Sequence, residues 1–118
     1  MNKLYVPIRI DIDNENSDDG YFSLGFVFDH DDKITPHNIG LCRNEQEGEA
    51  NSIYIEADDQ IYGFTTNKAG YSINNNILTL TLLDSNFFYW DKSKTISIKI
   101  NEEEIDEIEK CLISIFSI

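Results

Sequence analysis

Apolar and polar residues alternate along most of this chain, and a period of two marks strands with one buried face. In the first such segment Leu4, Val6, Ile8, Ile10 and Ile12 share one face, while Tyr5, Pro7, Arg9 and Asp11 share the other. Pro7 cannot donate to a sheet ladder, so this strand is expected at an edge, or with a free N–H side there. A second segment aligns Phe22, Leu24, Phe26 and Phe28, and a weaker one runs near Ile39 to Arg43. Ser52 to Ala57 places Ile53 and Ile55 inward, with Asp58 and Asp59 as a turn into "QIYGFTT". Gly70 to Ile73 and Ile77 to Leu83 flank "NNN", a hairpin signal because Asn tolerates left-handed turns. Leu78, Leu80 and Leu82 form the inner face of the second hairpin strand, and Ile96, Ile98 and Ile100 that of a last strand.

The period changes at the end of the chain. From Glu102 the apolar residues fall at Ile105, Ile108, Leu112 and Ile115, one face of a helix of roughly fourteen residues. Cys111 and Phe116 widen the stripe, Asn101 is the expected N-cap, and Glu104 stands three residues later as in a capping box. Glu102, Glu103 and Glu104 suit the positive end of the helix dipole. The pattern predicts an α+β fold: an antiparallel β-sheet of about six to eight strands with the C-terminal helix packed on one face. With 118 residues and neither a long linker nor an internal repeat, the chain reads as a single domain, 1–118.

Charge narrows the function classes. Twenty-two acidic and nine basic side chains give a net charge of −13. Residues 1–59 hold 14 of the acids and 4 of the bases, so most of the negative field lies in the first half. That disfavours nucleic acid and anionic membrane surfaces as partners, and favours a basic protein, a cation or plain solubility. "LYVPIRIDID" is no apolar secretion segment, no apolar run reaches membrane-spanning length, and Cys42 and Cys111 make no disulfide framework. The expectation is a cytoplasmic protein with reduced thiols.

Candidate chemistry is sparse. "DIDNENSDDGYF" (Asp11 to Phe22) has the alternating acids of a calcium loop, but an EF-hand needs glycine at position 6 and glutamate at 12. Counted from Asp11 these are Asn16 and Phe22; counted from Asp13 they are Asp18 and Leu24. The segment reads instead as a solvated acidic hairpin loop. His30, His37 and Cys42 are zinc-type ligands at a spacing that matches no compact zinc motif. No nucleophile elbow or phosphate-cradling glycine loop is present, and no cofactor, metal or catalytic residue is assigned; the chain is not expected to be an enzyme. In "NFFYWDK" (Asn86 to Lys92) four successive aromatics cannot all face one side; some reach the core, and Trp90 is a candidate anchor at an interface. Asp18, Asp19, Asp29, Asp31, Asp32, Glu45, Glu47 and Glu49 fall in expected loops, which would form one negative surface if they met at one end of the sheet. Such a surface would steer a basic partner.

The second half resembles a known family. "YIEADDQIYG" (Tyr54 to Gly63), "GYSINNNILTLTLL" (Gly70 to Leu83) and "TISIKINEEEIDEIEKCLISIF" (Thr95 to Phe116) are similar, in this order, to the immunity protein 10 family of bacterial polymorphic-toxin systems. Members are small, acidic and α+β, with a Tyr-x-Glu strand leading to a Gln near a glycine, a leucine-rich hairpin strand, and a last strand running into a C-terminal helix. The match covers roughly residues 50–117; where members are glycine-rich after the glutamine, this chain has "IYGFTTNKAG". The resemblance implies a non-catalytic immunity protein that neutralises a cognate toxin domain; the negative charge favours a basic toxin such as a nuclease as that partner, and the chain is expected to be a monomer or homodimer. It adds Tyr54 and Glu56 to the candidate toxin-binding residues. The competing expectation is a cation- or small-ligand-binding module.

Overall fold

The computed structural model describes residues 4–13, 21–28, 36–44 and 52–116, with backbone alone at 21 and 44. Among the described residues nine strands precede one α-helix: β1 (Leu4–Tyr5), β2 (Arg9–Asp13), β3 (Tyr21–Val27), β4 (Asn38–Asn44), β5 (Ile53–Ala57), β6 (Asp59–Thr66), β7 (Ala69–Asn74), β8 (Ile77–Leu82), β9 (Thr95–Lys99) and α1 (Ile105–Ile115). The fold is α+β, but the strands form two sheets rather than one. Four lie in the order β1-β9-β8-β7 and five in the order β2-β3-β4-β5-β6. All pairings are antiparallel except β1 with β9, which is parallel. Period-two alternation shows that a strand has an apolar face; it does not say which strands share a sheet.

The first segment departs most from its pattern. Tyr5 is 7% exposed, whereas Leu4, Val6 and Ile8 are 43%, 60% and 61% exposed. The chain leaves the four-stranded sheet after Tyr5, crosses through Pro7 and enters the five-stranded sheet at Arg9. Pro7 fits that crossing because it has no N–H to leave unpaired. The crossing also resets the parity: Tyr5 points inward, packed on Phe28 at 5.0 Å between ring centroids, and Ile10 and Ile12 pack against the core from the next strand.

Elsewhere the alternation is realised as written. Leu24, Phe26, Ile39, Leu41, Ile53 and Ile55 line the inner face of the five-stranded sheet, and Leu78, Leu80, Leu82, Ile96 and Ile98 that of the other. With Ile108, Cys111, Leu112 and Ile115 of α1 they form one hydrophobic cluster. Each such side chain contributes about 1.5–3 kcal/mol by leaving water. The β7–β8 hairpin turns through Asn75 and Asn76 at φ 52° and 64°. Positive φ at both central residues is the type I′ requirement, and its twist matches that of the strands.

The helix lies against β3, with β2 and β4 beside it. Cys111 Sγ donates to Ser23 O at 3.3 Å, and Arg43 Nη1 to Ser114 O at 2.9 Å. Burial, with the nearby charge of Asp13, pushes the Cys111 thiol up to about 11. The start of the helix differs from expectation. Residues Glu102–Glu104 form a 3-10 turn, and the Asn101 side chain caps no backbone N–H. Its Nδ2 instead donates to Glu104 Oε1 at 3.0 Å, side chain to side chain. Among the described residues no helix is long and apolar enough to cross a membrane.

Candidate functional site

The inner face of the five-stranded sheet is covered by the core; its outer face carries a groove of 380 Å3. Strand register builds it. Asp11 pairs with Gly25, Gly25 with Gly40, and Gly40 with Glu56, so carboxylate, glycine, glycine and carboxylate form one row across β2, β3, β4 and β5. The next row contains Ser23, Cys42 and Tyr54, and the row on the other side Arg9, Val27 and Asn38. At a strand spacing of about 4.8 Å, the two carboxylate-bearing strands are roughly 14 Å apart, with only backbone between them.

Each wall is organised by local bonds. On one side Arg9 Nε donates to Asp11 Oδ2 at 3.1 Å, both side chains being well exposed. On the other the Tyr54 hydroxyl donates to Glu56 Oε1 at 2.7 Å. That bond, with smaller effects of burial and charge, raises the Tyr54 phenol above its ordinary value. Tyr54 has room because the diagonal residue on β6 is Gly63; a Cβ there would sit 2.7 Å from Tyr54 Cζ. The β5–β6 register shifts between Ile55 and Ala57, beside the Tyr54–Glu56 pair. Cys42 lines the groove, and burial together with the charge of Glu56 raises its thiol, which keeps it protonated and a poor nucleophile at neutral pH.

A second polar cluster lies at the β5–β6 turn. Asp58 adopts φ 66° and accepts from the backbone N–H of His37 at 2.7 Å and of Asn38 at 3.3 Å through Oδ1. His37 Nδ1 lies 3.3 Å from the same oxygen, and the Tyr89 hydroxyl donates to Oδ2. Tyr62 stacks on Tyr89 at 3.7 Å between centroids. Burial and the bond to Asp58 push the Tyr89 phenol far up. These contacts tie the start of β4, the β5–β6 turn and the β8–β9 connection together, which is a structural task. His37 therefore faces a carboxylate and Cys42 the groove; among the described residues no group of three or more His, Cys, Asp or Glu is placed to hold a metal ion. His30 lies outside the described residues.

Of the candidate toxin-binding residues, Tyr54 and Glu56 are brought together in the groove. Trp90 is not part of it: half-buried, it stacks on Phe88 at 4.9 Å and meets Tyr89 edge-on at 5.5 Å. In that aromatic run Phe88 is the core residue and Phe87 is 48% exposed. Asp18, Asp19, Asp29, Asp31, Asp32, Glu45, Glu47 and Glu49 lie outside the described residues. The strand ends that flank them are described, and they do not share one end of the sheet. Asp13, Ser23, Cys42 and Tyr54 align at the end that leads into segments 14–20 and 45–51. Val27 and Asn38 align at the opposite end, which flanks segment 29–35. Antiparallel strands send successive connections to alternate ends, so a single surface from all three segments does not follow from the topology.

Asp11, Gly25, Asn38, Gly40 and Cys42 were not among the sequence candidates for this face. The available signal was a glycine inside each of two strand-like segments, "SLGF" and "NIGL". Compared with family models, with curated proteins and with solved structures, the chain matches none.

Proposed function

We propose that this chain is a non-catalytic immunity protein that binds a cognate bacterial toxin domain in the cytoplasm and blocks its active site with an acidic surface. One observation carries the reading: the acidic half of the chain contributes most of the five-stranded sheet, and among the described residues nothing covers the outer face of that sheet, where Asp11 and Glu56 stand at the two sides of a groove. An open negative face suits a basic protein, because complementary charge raises the encounter rate and disfavours wrong partners. The resemblance of residues 50–117 to immunity protein 10 members points to a toxin as that partner.

Co-expression tests it. The C-terminal domain of the large protein encoded next to this chain is produced with and without the 118 residues, following growth and co-purification. Rescue of growth with a stable complex is the expected result. Toxicity that persists with no complex formed overturns the pairing. A second reading, a small-ligand or cation module, draws on the groove volume, which lies in the range of small-molecule sites. Calorimetry with calcium and zinc separates the two, since the immunity reading expects no specific heat from either ion.

A further inference from the structure

We propose that the Asp11–Gly25–Gly40–Glu56 row is the seat for an arginine side chain of the partner protein, its guanidinium lying flat on the two glycines and held by Glu56. The identity of that partner as a toxin rests on the immunity reading; the geometry of the seat does not.

The glycines are the starting point. Glycine inside a strand gives up backbone entropy and side-chain packing. Here the fold needs neither of them. Neither has a left-handed backbone. A Cβ added at Gly25 would make only ordinary contact, 3.9 Å from Asp11 Cβ, and one at Gly40 would lie 3.9 Å from Leu24 O. Alanine fits both places, so what the pair preserves is the space above it. The two face each other in register on inner strands of the sheet, on the face away from the core. Glycine in such a place marks the close approach of another group.

The rim selects the group. Asp11 is already bonded to Arg9. Glu56 uses Oε1 for the Tyr54 hydroxyl, and its Oε2 has no hydrogen bond among the described residues. An occupant that brings donors to Glu56 complements it. The floor is bare backbone, with the Tyr54 ring turned aside towards Gly63 on β6. A guanidinium is planar and carries its donors as a fork matched to a carboxylate. A lysine ammonium has the charge without the plane or the fork.

The test follows the backbone amides of Gly25, Gly40 and Glu56 by NMR in the intact chain. N-acetyl-arginine amide is the probe, with the lysine and citrulline amides as controls. Saturable shifts at these amides are expected with arginine, several-fold weaker binding with lysine, and at least 10-fold weaker binding with neutral citrulline. Glu56→Gln should weaken the arginine complex at least 5-fold. The Gly25→Ala, Gly40→Ala double variant should do the same while its urea midpoint stays at or above that of the parent. Absent shifts, equal response to citrulline, or unchanged affinity in a folded double variant each overturn the seat. The two proposals fail separately. If the double-alanine variant neutralises the toxin with unchanged affinity, the seat falls and the immunity reading stands. If the arginine probe binds as described but the toxin is not neutralised, the reverse holds.

Discussion

Gly63 lacks a side chain where the Tyr54 phenol lies, and Tyr54 in turn holds Glu56. Gly63→Ala would force the ring out of its place over β6 and break the bond to Glu56. Overpacking of a rigid site costs about 1–3 kcal/mol, and the low end applies here, about 1 kcal/mol, because the tip of Tyr54 can swing towards solvent. In a Tyr54→Ala background the same change should be neutral or mildly stabilising, since the three atoms nearest the extra methyl, all of them in the Tyr54 ring and hydroxyl, are then gone. Urea unfolding of the four proteins measures the coupling; an equal cost in both backgrounds would dismiss the steric account. The sequence shows the ingredients, a Tyr-x-Glu pair and a nearby glycine. It does not show that they touch, because the irregular β5–β6 register decides which residues lie diagonally.

Among elements, Asp84 makes one of the polar joins between the two sheets. Thr66, at the end of β6 in the five-stranded sheet, donates through Oγ1 to Asp84 Oδ2 at 2.5 Å, just beyond β8 in the other sheet. Asn86 adds its backbone N–H at 2.9 Å and its Nδ2 at 3.0 Å. Burial pushes the Asp84 carboxyl up, but these bonds outweigh it and hold the group below its ordinary value of 3.8. A depressed carboxyl stabilises the fold above its unfolded value and loses that contribution as pH falls through the folded one. Asp84→Ala should therefore cost about 1–2 kcal/mol at pH 7, and the gap to the parent should close as pH drops below 3.8. Urea midpoints at pH 7 and in steps downward from pH 4 check both parts; a gap that stays constant with pH would remove the carboxylate from the explanation. No sequence pattern links Thr66 to Asp84, whereas the β7–β8 hairpin and the helix were legible because asparagines and 3.6-residue spacing act locally. The helix cap was half legible: Asn101 and Glu104 do interact, but side chain to side chain.

For the whole molecule, charge is the governing quantity. A net charge of −13 on 118 residues makes the compact state repel itself, most strongly in the half that holds the five-stranded sheet. Raising sodium chloride from about 10 to 200 mM shortens the screening length from roughly 30 Å to below 10 Å. The melting temperature should rise over that range, and most of the gain should appear by 100 mM. A melting temperature that is flat or falls with salt would show that local attractions, such as Arg9 with Asp11, outweigh the global repulsion.

Sequence alone determined the fold class, the inward faces of β3, β5, β8 and β9, the asparagine turn, the helix and the acidic bias. Each of these is set by neighbours within about ten positions or by composition, and periodicity reports such information directly. Tertiary structure decided the rest. It split the strands into two sheets, reversed the faces of Tyr5 and its neighbours at the Pro7 crossing, and put the described strand ends on either side of the acidic segments at different ends of the sheet. It also set Gly25 opposite Gly40 between Asp11 and Glu56. Register and sheet membership join residues far apart in the chain, and a pattern of period two is the same whichever strand lies alongside.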